Sequence, residues 1–273
     1  CLVQAPGPMT PEWLMVLSAR IGARQPCALA TVVAIEGSVS ADQGAKAIFA
    51  PDGRLLAGWV GGGCAQARVG ELACEAMSTG KSQLLVLDLR DEILGTGMPC
   101  GGAMTVYIDP ILPPPRLWLL GSGRLAEALC AQAAQVNFAV TVLDIRAEAA
   151  QFPAAWAVVD DDPAYAALAG AAAEDYVVIA TQHKGDHLAL RQVLTRPVAY
   201  VGLIASRHRA RLVRADLQQS GLSPARWTKV HAPAGLDLGA HTPEEIALAV
   251  VAEMLAQRRQ RSAQPRSIFE ENP

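Results

Sequence analysis

Between residues 117 and 146 the chain reads LWLLGSGRLAEALCAQAAQVNFAVTVLDIR, and this stretch restricts the possible fold more than any other. A short apolar run, 117–120, meets Gly121 and Gly123. Residues 124–135 are predicted as a helix with Leu125, Ala128, Leu129 and Gln132 on one face. A second apolar strand, 140–143, ends in Asp144. Strand, glycine turn, helix, strand and acid fall in the order of a βαβ unit with G-x-G-x-x-A. Gly121 serves the tight turn, Gly123 lets a phosphate approach the backbone, and Ala126 lets the helix pack close. The helix N-terminus behind the turn offers unpaired N–H groups and partial positive charge to an anion. Asp144 stands 144 − 123 = 21 residues past the second glycine, where a ribose-binding acid is expected. The fold class is therefore α/β, with a Rossmann-like, doubly wound parallel sheet. A dinucleotide such as NAD(P) is one ligand of such a turn. Another phosphate, or no ligand, is equally compatible, because a fold does not fix a function.

Upstream, Thr10-Pro11-Glu12 reads as a helix start with a capping threonine. Strands are predicted at 27–35, 46–50 and 55–60, with a turn at Asp52-Gly53. Three glycines, Gly61, Gly62 and Gly63, lead into Cys64 and a helix to Thr79, closed by Gly80. Strands at 84–89 and 104–108 flank the glycine-rich loop 95–102. Pro113-Pro114-Pro115 cannot continue a sheet and reads as the linker, giving a mixed α/β unit over 1–112 and the Rossmann-like unit over 113–273. In the second unit further strands are expected at 157–159, 176–180 and 199–203. Thr242-Pro243-Glu244-Glu245 is a capping box launching a helix with Ile246, Val250, Val251, Met254 and Leu255, and the tail past Gln257 is expected to fray.

A chain of 273 residues with 51% hydrophobic and 18% charged residues forms compact domains. Net charge −3 without an evident basic cluster argues against nucleic acid. No apolar run approaches a membrane span of about 20 residues, and no charged-then-apolar leader is seen. Six cysteines without C-x-x-C or zinc spacing fit reduced thiols and a cytoplasmic location.

Cys27, Cys74 and Cys130 lie in apolar or helical contexts and are expected to pack as core residues. Cys64 and Cys100 differ because glycines flank both. Cys64 follows the triglycine at a predicted helix N-terminus, a setting that favours thiolate, and Cys100 lies in GMPCGG before Gly101 and Gly102. Two soft donors beside anion-binding backbone suit a ligand with both a phosphate and a soft metal or sulfur centre. The alternative is that both thiols only pack in tight turns. Lys46 is a candidate anion contact or a solvated lysine. TQHKGDH (181–187) falls after a buried-looking strand, where doubly wound sheets bind ligands, though Gly185 weakens a His183/His187 metal pair. Ser206 and Arg207 follow the next strand as an anion site or a plain helix cap.

GSVSADQGAK, GWVGGGC, GMPCGG, YVGLIASR and above all PAGLDLGAHTPEEIALAVVAE, which contains Asp237, resemble the XdhC/CoxI family of accessory proteins for molybdenum hydroxylases such as xanthine dehydrogenase. The resemblance spans about residues 27–257. Departures are Val39-Ser40-Ala41 in place of a proline–arginine pair, a looser TQHKGDH, and Ala205 where glycine is usual. It implies binding of the molybdenum cofactor in its molybdopterin form, with or without an appended nucleotide, by Gly61–Cys64, Cys100–Gly102, Gly121, Gly123, Asp144, Ser206, Arg207 and Asp237. Cys64 and Cys100 are the implied metal or sulfur contacts. It further implies protection of the cofactor during sulfuration and delivery to the apo-enzyme. The implied partners are that hydroxylase, a cysteine desulfurase as sulfur donor, a molybdopterin nucleotidyltransferase and a second copy of the chain. No catalytic residue follows; a maturation chaperone without turnover is expected, with an NAD(P)-dependent oxidoreductase as the alternative.

Overall fold

A computed structural model describes residues 11–88, 102–181, 185–221 and 223–265. The chain divides into two compact units, Cys1–Pro113 and Pro114–Pro273.

The first unit holds α1 (Glu12–Gly22), β1 (Cys27–Glu36), β2 (Lys46–Phe49), β3 (Leu55–Gly58), α2 (Gly63–Thr79), β4 (Gln83–Asp88) and β5 (Ala103–Ile111). Its sheet runs β3-β2-β1-β5-β4 and every pairing is antiparallel. Helix α2 buries Ala65, Val69, Ala73, Ala76 and Met77, spaced along one face, against alternate residues of the sheet such as Ala30, Val32, Val106 and Ile108. Gly80 ends the helix in the left-handed conformation, as the sequence predicts. Two details differ from expectation. Pro11, not Thr10, occupies the N-cap of α1, without a side-chain cap, and Thr10 lies outside the described residues. Strand β5 runs past 108 to Ile111 because β1 pairs with it as far as Ile111, opposite Cys27, whereas β4 pairs only as far as Ile108. Pro110 thus lies where β5 has β1 as its sole partner, and a proline is tolerated there.

The second unit holds β6 (Arg116–Leu120), α3 (Arg124–Gln135), β7 (Ala139–Leu143), β8 (Ala157–Val159), β9 (Tyr176–Ile179), α4 (Asp186–Val193), β10 (Tyr200–Leu203), α5 (Arg207–Gln219), α6 (Pro224–Trp227), β11 (Val230–His231) and α7 (Pro243–Arg259). Its six described strands are parallel, in the order β11-β10-β9-β6-β7-β8. Counted within the unit this is 6-5-4-1-2-3, the doubly wound order with its reversal between β6 and β9. Both faces are covered, which is why the central strands are nearly continuous apolar runs instead of alternating. Leu117, Leu119, Val140 and Val178 join Met254 and Val250 of α7 on one face, and Leu120, Ile179 and Leu203 join α4 and α5 residues on the other. Each such side chain stabilises the fold by roughly 1.5–3 kcal/mol. Trp118, buried in this core, donates from Nε1 to Asp175 Oδ2 at 2.8 Å, so its polar atom is satisfied.

Helix α3 buries Ala126, Leu129, Cys130 and Ala133, a face rotated from the predicted one, with Leu125 and Ala128 at its margin. Three of these four buried residues are small, and α3 packs against α7. The C-terminal helix also outlasts the expected fraying point. Arg258 lies over the Phe138 ring and donates to the Val136 carbonyl at 2.9 Å, which carries α7 to Arg259. Among the described residues no helix is long and apolar enough to cross a membrane.

Candidate functional site

The glycine turn sits at the reversal of the parallel sheet. Strand β6 runs into Gly121, whose φ is 137°, and a Cβ there would collide with the carbonyl of Ala180 at the end of β9. Only glycine meets both demands. Gly123 is the extended N-cap of α3, and Ala126 is fully buried. The helix N-terminus therefore opens at the crevice where open α/β sheets take ligands.

Asp144 ends β7 and is 6% exposed. Arg146 donates to its Oδ1 from the backbone N at 2.8 Å and from Nε at 3.1 Å, and to its Oδ2 from a terminal guanidinium nitrogen at 2.9 Å. Burial alone would raise this carboxyl, but the Arg146 bonds and charge, with a hydrogen bond from Ser122 in the glycine turn, hold it below its ordinary value. Asp144 thus stands at the end of β7 and carries a bidentate arginine.

The same crevice contains polar groups of the TQHKGDH stretch, joined by Arg209 and Tyr165, which the sequence alone does not single out. The Thr181 hydroxyl donates to Asp186 Oδ1, and Arg209 of α5 stands 3.5 Å from Asp186 Oδ2. Asp186 is 1% exposed, so its charge depends on these neighbours. Tyr165, held at φ 56°, faces Gly185, and its phenol is pushed up by burial and by Asp144, with Arg146 opposing. TQHKGDH signals polar groups after β9, but the pairing with Arg209 needs the position of α5, which spacing does not give. Gln182, His183 and Lys184 lie outside the described residues.

A cavity of about 580 Å³ opens at the carboxyl ends of β10 and β11, lined by residues 204–207 and 233–241 with Ile246 and Ala249. Here the structure brings together three predicted residues, Ser206, Arg207 and Asp237. Ser206 is also the N-cap of α5, accepting from Arg209 N at 3.2 Å. The loop over the cavity is pinned at several points. Ala234 N donates to Leu203 O at 3.0 Å, Leu236 N to Ala249 O at 3.1 Å, and Gly235 N to Glu253 Oε2 at 2.9 Å. Glu253 also accepts from the Tyr200 hydroxyl at 2.5 Å and meets His231 Nδ1 at 3.0 Å. Burial pushes Glu253 up, yet these three hydrogen bonds leave it below the usual carboxylate range. Its signal in the sequence is a lone acid in the apolar run AVVAEML. The predicted capping box forms, with Glu245 N donating to the Thr242 hydroxyl and Thr242 N to the Glu245 carboxylate. Arg124, first in α3, donates from Nε to Glu244 at 2.9 Å and ties the glycine-turn helix to the start of α7.

In the first unit Cys64 is exposed, at the second position of α2, behind the N-cap Gly62. At Gly61, whose φ is 114°, a Cβ would meet Ala65 and Met104 at 3.3 Å and Ser40 at 3.6 Å. A Cβ on Gly102 would meet the carbonyl oxygens of Glu36 and Ser38 at 2.6 and 2.5 Å. The turn after β1, the triglycine and Gly102 thus gather at the end of the sheet where Asp88 pairs with Ala103. Cys100 and Gly101 lie outside the described residues. Among the described residues no group of three or more His, Cys, Asp or Glu could hold a metal ion. Cys27 and Cys130 are buried; burial pushes Cys27 up against the Arg20 charge and Cys130 up to about 11. Cys74 is half-buried. Lys46 donates to Gly44 O at 3.3 Å and lies over the Trp13 ring.

Comparison with known proteins adds an independent line. Residues 117–254 match the XdhC Rossmann domain, and residues 21–88 match the XdhC and CoxI family. The uncharacterized protein YqeB of Escherichia coli (strain K12) is 33% identical over 241 residues, which cover 84% of this chain and 43% of that protein. A probable xanthine dehydrogenase subunit of Bacillus subtilis (strain 168) is 31% identical over 159 residues, covering 56% of this chain and 46% of that protein. The chain spans less than half the length of these two relatives. A crystal structure of a xanthine dehydrogenase from Bacillus halodurans aligns with a TM-score of 0.50 and 24% identity, over 94% of this chain and 98% of that one. At that identity the likeness speaks for the fold alone.

Proposed function

Because the chain belongs to the XdhC and CoxI family, we propose that it is an accessory protein for a molybdenum hydroxylase of the xanthine dehydrogenase type. In this reading it binds the molybdenum cofactor, shields it during sulfuration and passes it to the apo-enzyme, without turnover of its own. The partners are the hydroxylase, a cysteine desulfurase, a molybdopterin nucleotidyltransferase where the cofactor carries a nucleotide, and a second copy of the chain. A relative named as a probable xanthine dehydrogenase subunit supports the client class.

The observation that carries the reading is the 580 Å³ cavity built from the family's longest motif, 233–241, at the carboxyl edge of the parallel sheet. That volume falls in the range of small-molecule sites, about 300–1,000 Å³. Arg207 supplies a guanidinium for a phosphate, Asp237 an acceptor for ring N–H groups, and the backbone donors at 205–207 an anion contact. Gly121 and Gly123 offer a second place for phosphate at the reversal of the same sheet. The cargo itself contributes a pterin, a phosphate and a soft metal centre. Cys64, exposed behind the triglycine, is a soft donor of the type such a centre accepts, whereas Cys27 and Cys130 are buried.

The alternative, NAD(P) chemistry, is favoured by the doubly wound strand order and by Asp144 beside the glycine turn. Against it stands the Arg146 clamp, which occupies both oxygens of the carboxylate that a ribose would need. Mixing the purified protein separately with NAD(H), NADP(H) and anaerobic molybdenum cofactor separates the two. Retention of molybdenum through gel filtration, with no nicotinamide bound, is expected. Binding of NAD(P)H with no molybdenum retained would overturn the proposal.

A further inference from the structure

Helix α5 opens RHRARLVR, a concentration of arginine that overall composition averages away in a chain of net charge −3. The arginines divide by direction. Arg209 turns to buried Asp186. Arg207, Arg211 and Arg214, at helical spacings of four and three, share one face and line a single groove of about 440 Å³. The opposite wall carries the half-buried indole of Trp227, with Ala232 and Pro233. Among the described residues, none of these three guanidinium groups is paired with a carboxylate. Concentrating three like charges on one helix face costs stability unless an anion joins them. The groove follows the β11 edge of the sheet, while the glycine turn follows β6, three strands away, or about 14 Å at ~4.8 Å per strand. It is therefore separate from the glycine turn, and it adjoins the 580 Å³ cavity, with which it shares Arg207 and Pro233.

We propose that this groove is a second binding site, for a nucleoside diphosphate, with its phosphates on Arg207, Arg211 and Arg214 and its base against the Trp227 indole. The arginines at successive turns span about 10 Å at 1.5 Å per residue, so they suit more than one phosphate. Guanidinium forks bond phosphate oxygens in pairs, and an indole face takes any base by stacking. The proposal does not require the molybdenum-cofactor reading, although both call on Arg207: a free nucleotide or the nucleotide end of a larger ligand satisfies the same chemistry.

The test uses the full chain and two probes, ADP and inorganic pyrophosphate, titrated calorimetrically at low and at high salt. Wild type binds both, more weakly at high salt. Arg211→Ala/Arg214→Ala, two exposed changes, lowers affinity for both probes by about tenfold or more. Trp227→Leu keeps an apolar filler in the core and weakens ADP by about tenfold while leaving pyrophosphate unchanged. Ala240→Phe, which fills the adjacent cavity, leaves both probes bound, so a failure there belongs to the cofactor reading alone. Competition by excess free ADP against a dinucleotide such as NAD+ distinguishes the two sources of the nucleotide. Four results overturn the proposal: no ADP binding in wild type, unchanged ADP affinity in the double arginine variant, equal loss of both probes in the Trp227 variant, or capture of a hexaglutamate peptide without ADP.

Discussion

The carboxyl edge of the parallel sheet and the glycine end of the antiparallel sheet are made in opposite ways. At the carboxyl edge of the parallel sheet the polar groups are locked before any ligand arrives. Asp144 is held by Arg146, Asp186 by Thr181 and Arg209, and the 233–241 loop by Glu253. At the glycine end of the antiparallel sheet the shape comes from backbone closeness, and the reactive group, Cys64, is exposed. A locked polar shell gives grip on the organic part of a ligand with little ordering cost. An exposed soft donor among glycines gives reach. The contrast predicts where substitutions unfold the chain and where they leave it folded but empty.

The greatest loss falls on Gly121. Gly121→Val drives a Cβ into the Ala180 carbonyl at a φ that valine avoids, and loss of the folded second unit is expected by circular dichroism. Gly123, whose φ is an ordinary −86°, tolerates a bulky residue; the protein stays folded and cofactor retention weakens. Equal melting temperatures for the two variants would erase the distinction. Next comes Glu253→Ala, which strips an acceptor from Tyr200, His231 and Gly235 and should cost about 2–3 kcal/mol, read by urea denaturation.

Acid bears on the same point. Asp144 and Glu253 both have folded values below their unfolded ones, so their contribution is present above the ordinary carboxylate range near 4 and is lost as pH falls through the lower folded values. The melting temperature should therefore drop below about pH 4, and less steeply in Asp144→Asn/Glu253→Gln. Parallel slopes would assign the acid loss elsewhere. The mildest change belongs to the thiols. Cys64→Ser should melt within about 2 °C of wild type yet lose molybdenum after anaerobic reconstitution. Cys130→Ser places a hydroxyl in the core and should cost about 1–3 kcal/mol without touching retention per folded molecule. Iodoacetamide should label Cys64 in the folded protein and spare Cys27 and Cys130.

How far the sequence speaks differs between the two regions for a physical reason. Five strands of the parallel sheet are legible because each is a short apolar run, a signal that lives within a few residues, whereas β11, the two residues Val230–His231, is too short to give one. The triglycine before Cys64 and the capping box at Thr242 are legible for the same reason. What escapes a sequence reading is pairing across elements. Arg209 meets Asp186 only because α5 lies against α4, and Glu253 meets Tyr200 and His231 only because α7 lies against β10. No local pattern encodes those contacts. The buried face of α3 differs from its predicted one likewise, since Leu125 and Ala126 look alike to a helical period, and the neighbouring helix α7 decides between them.

All of this turns on whether the cavity under the 233–241 loop holds the molybdenum cofactor. Molybdenum bound per folded protein after anaerobic reconstitution decides it, comparing wild type with Ala240→Phe, a change at the cavity wall. Near-stoichiometric molybdenum is expected in wild type, and about tenfold less in a variant whose circular dichroism spectrum is unaltered. If the filled variant retains as much molybdenum as wild type, the cofactor lies elsewhere.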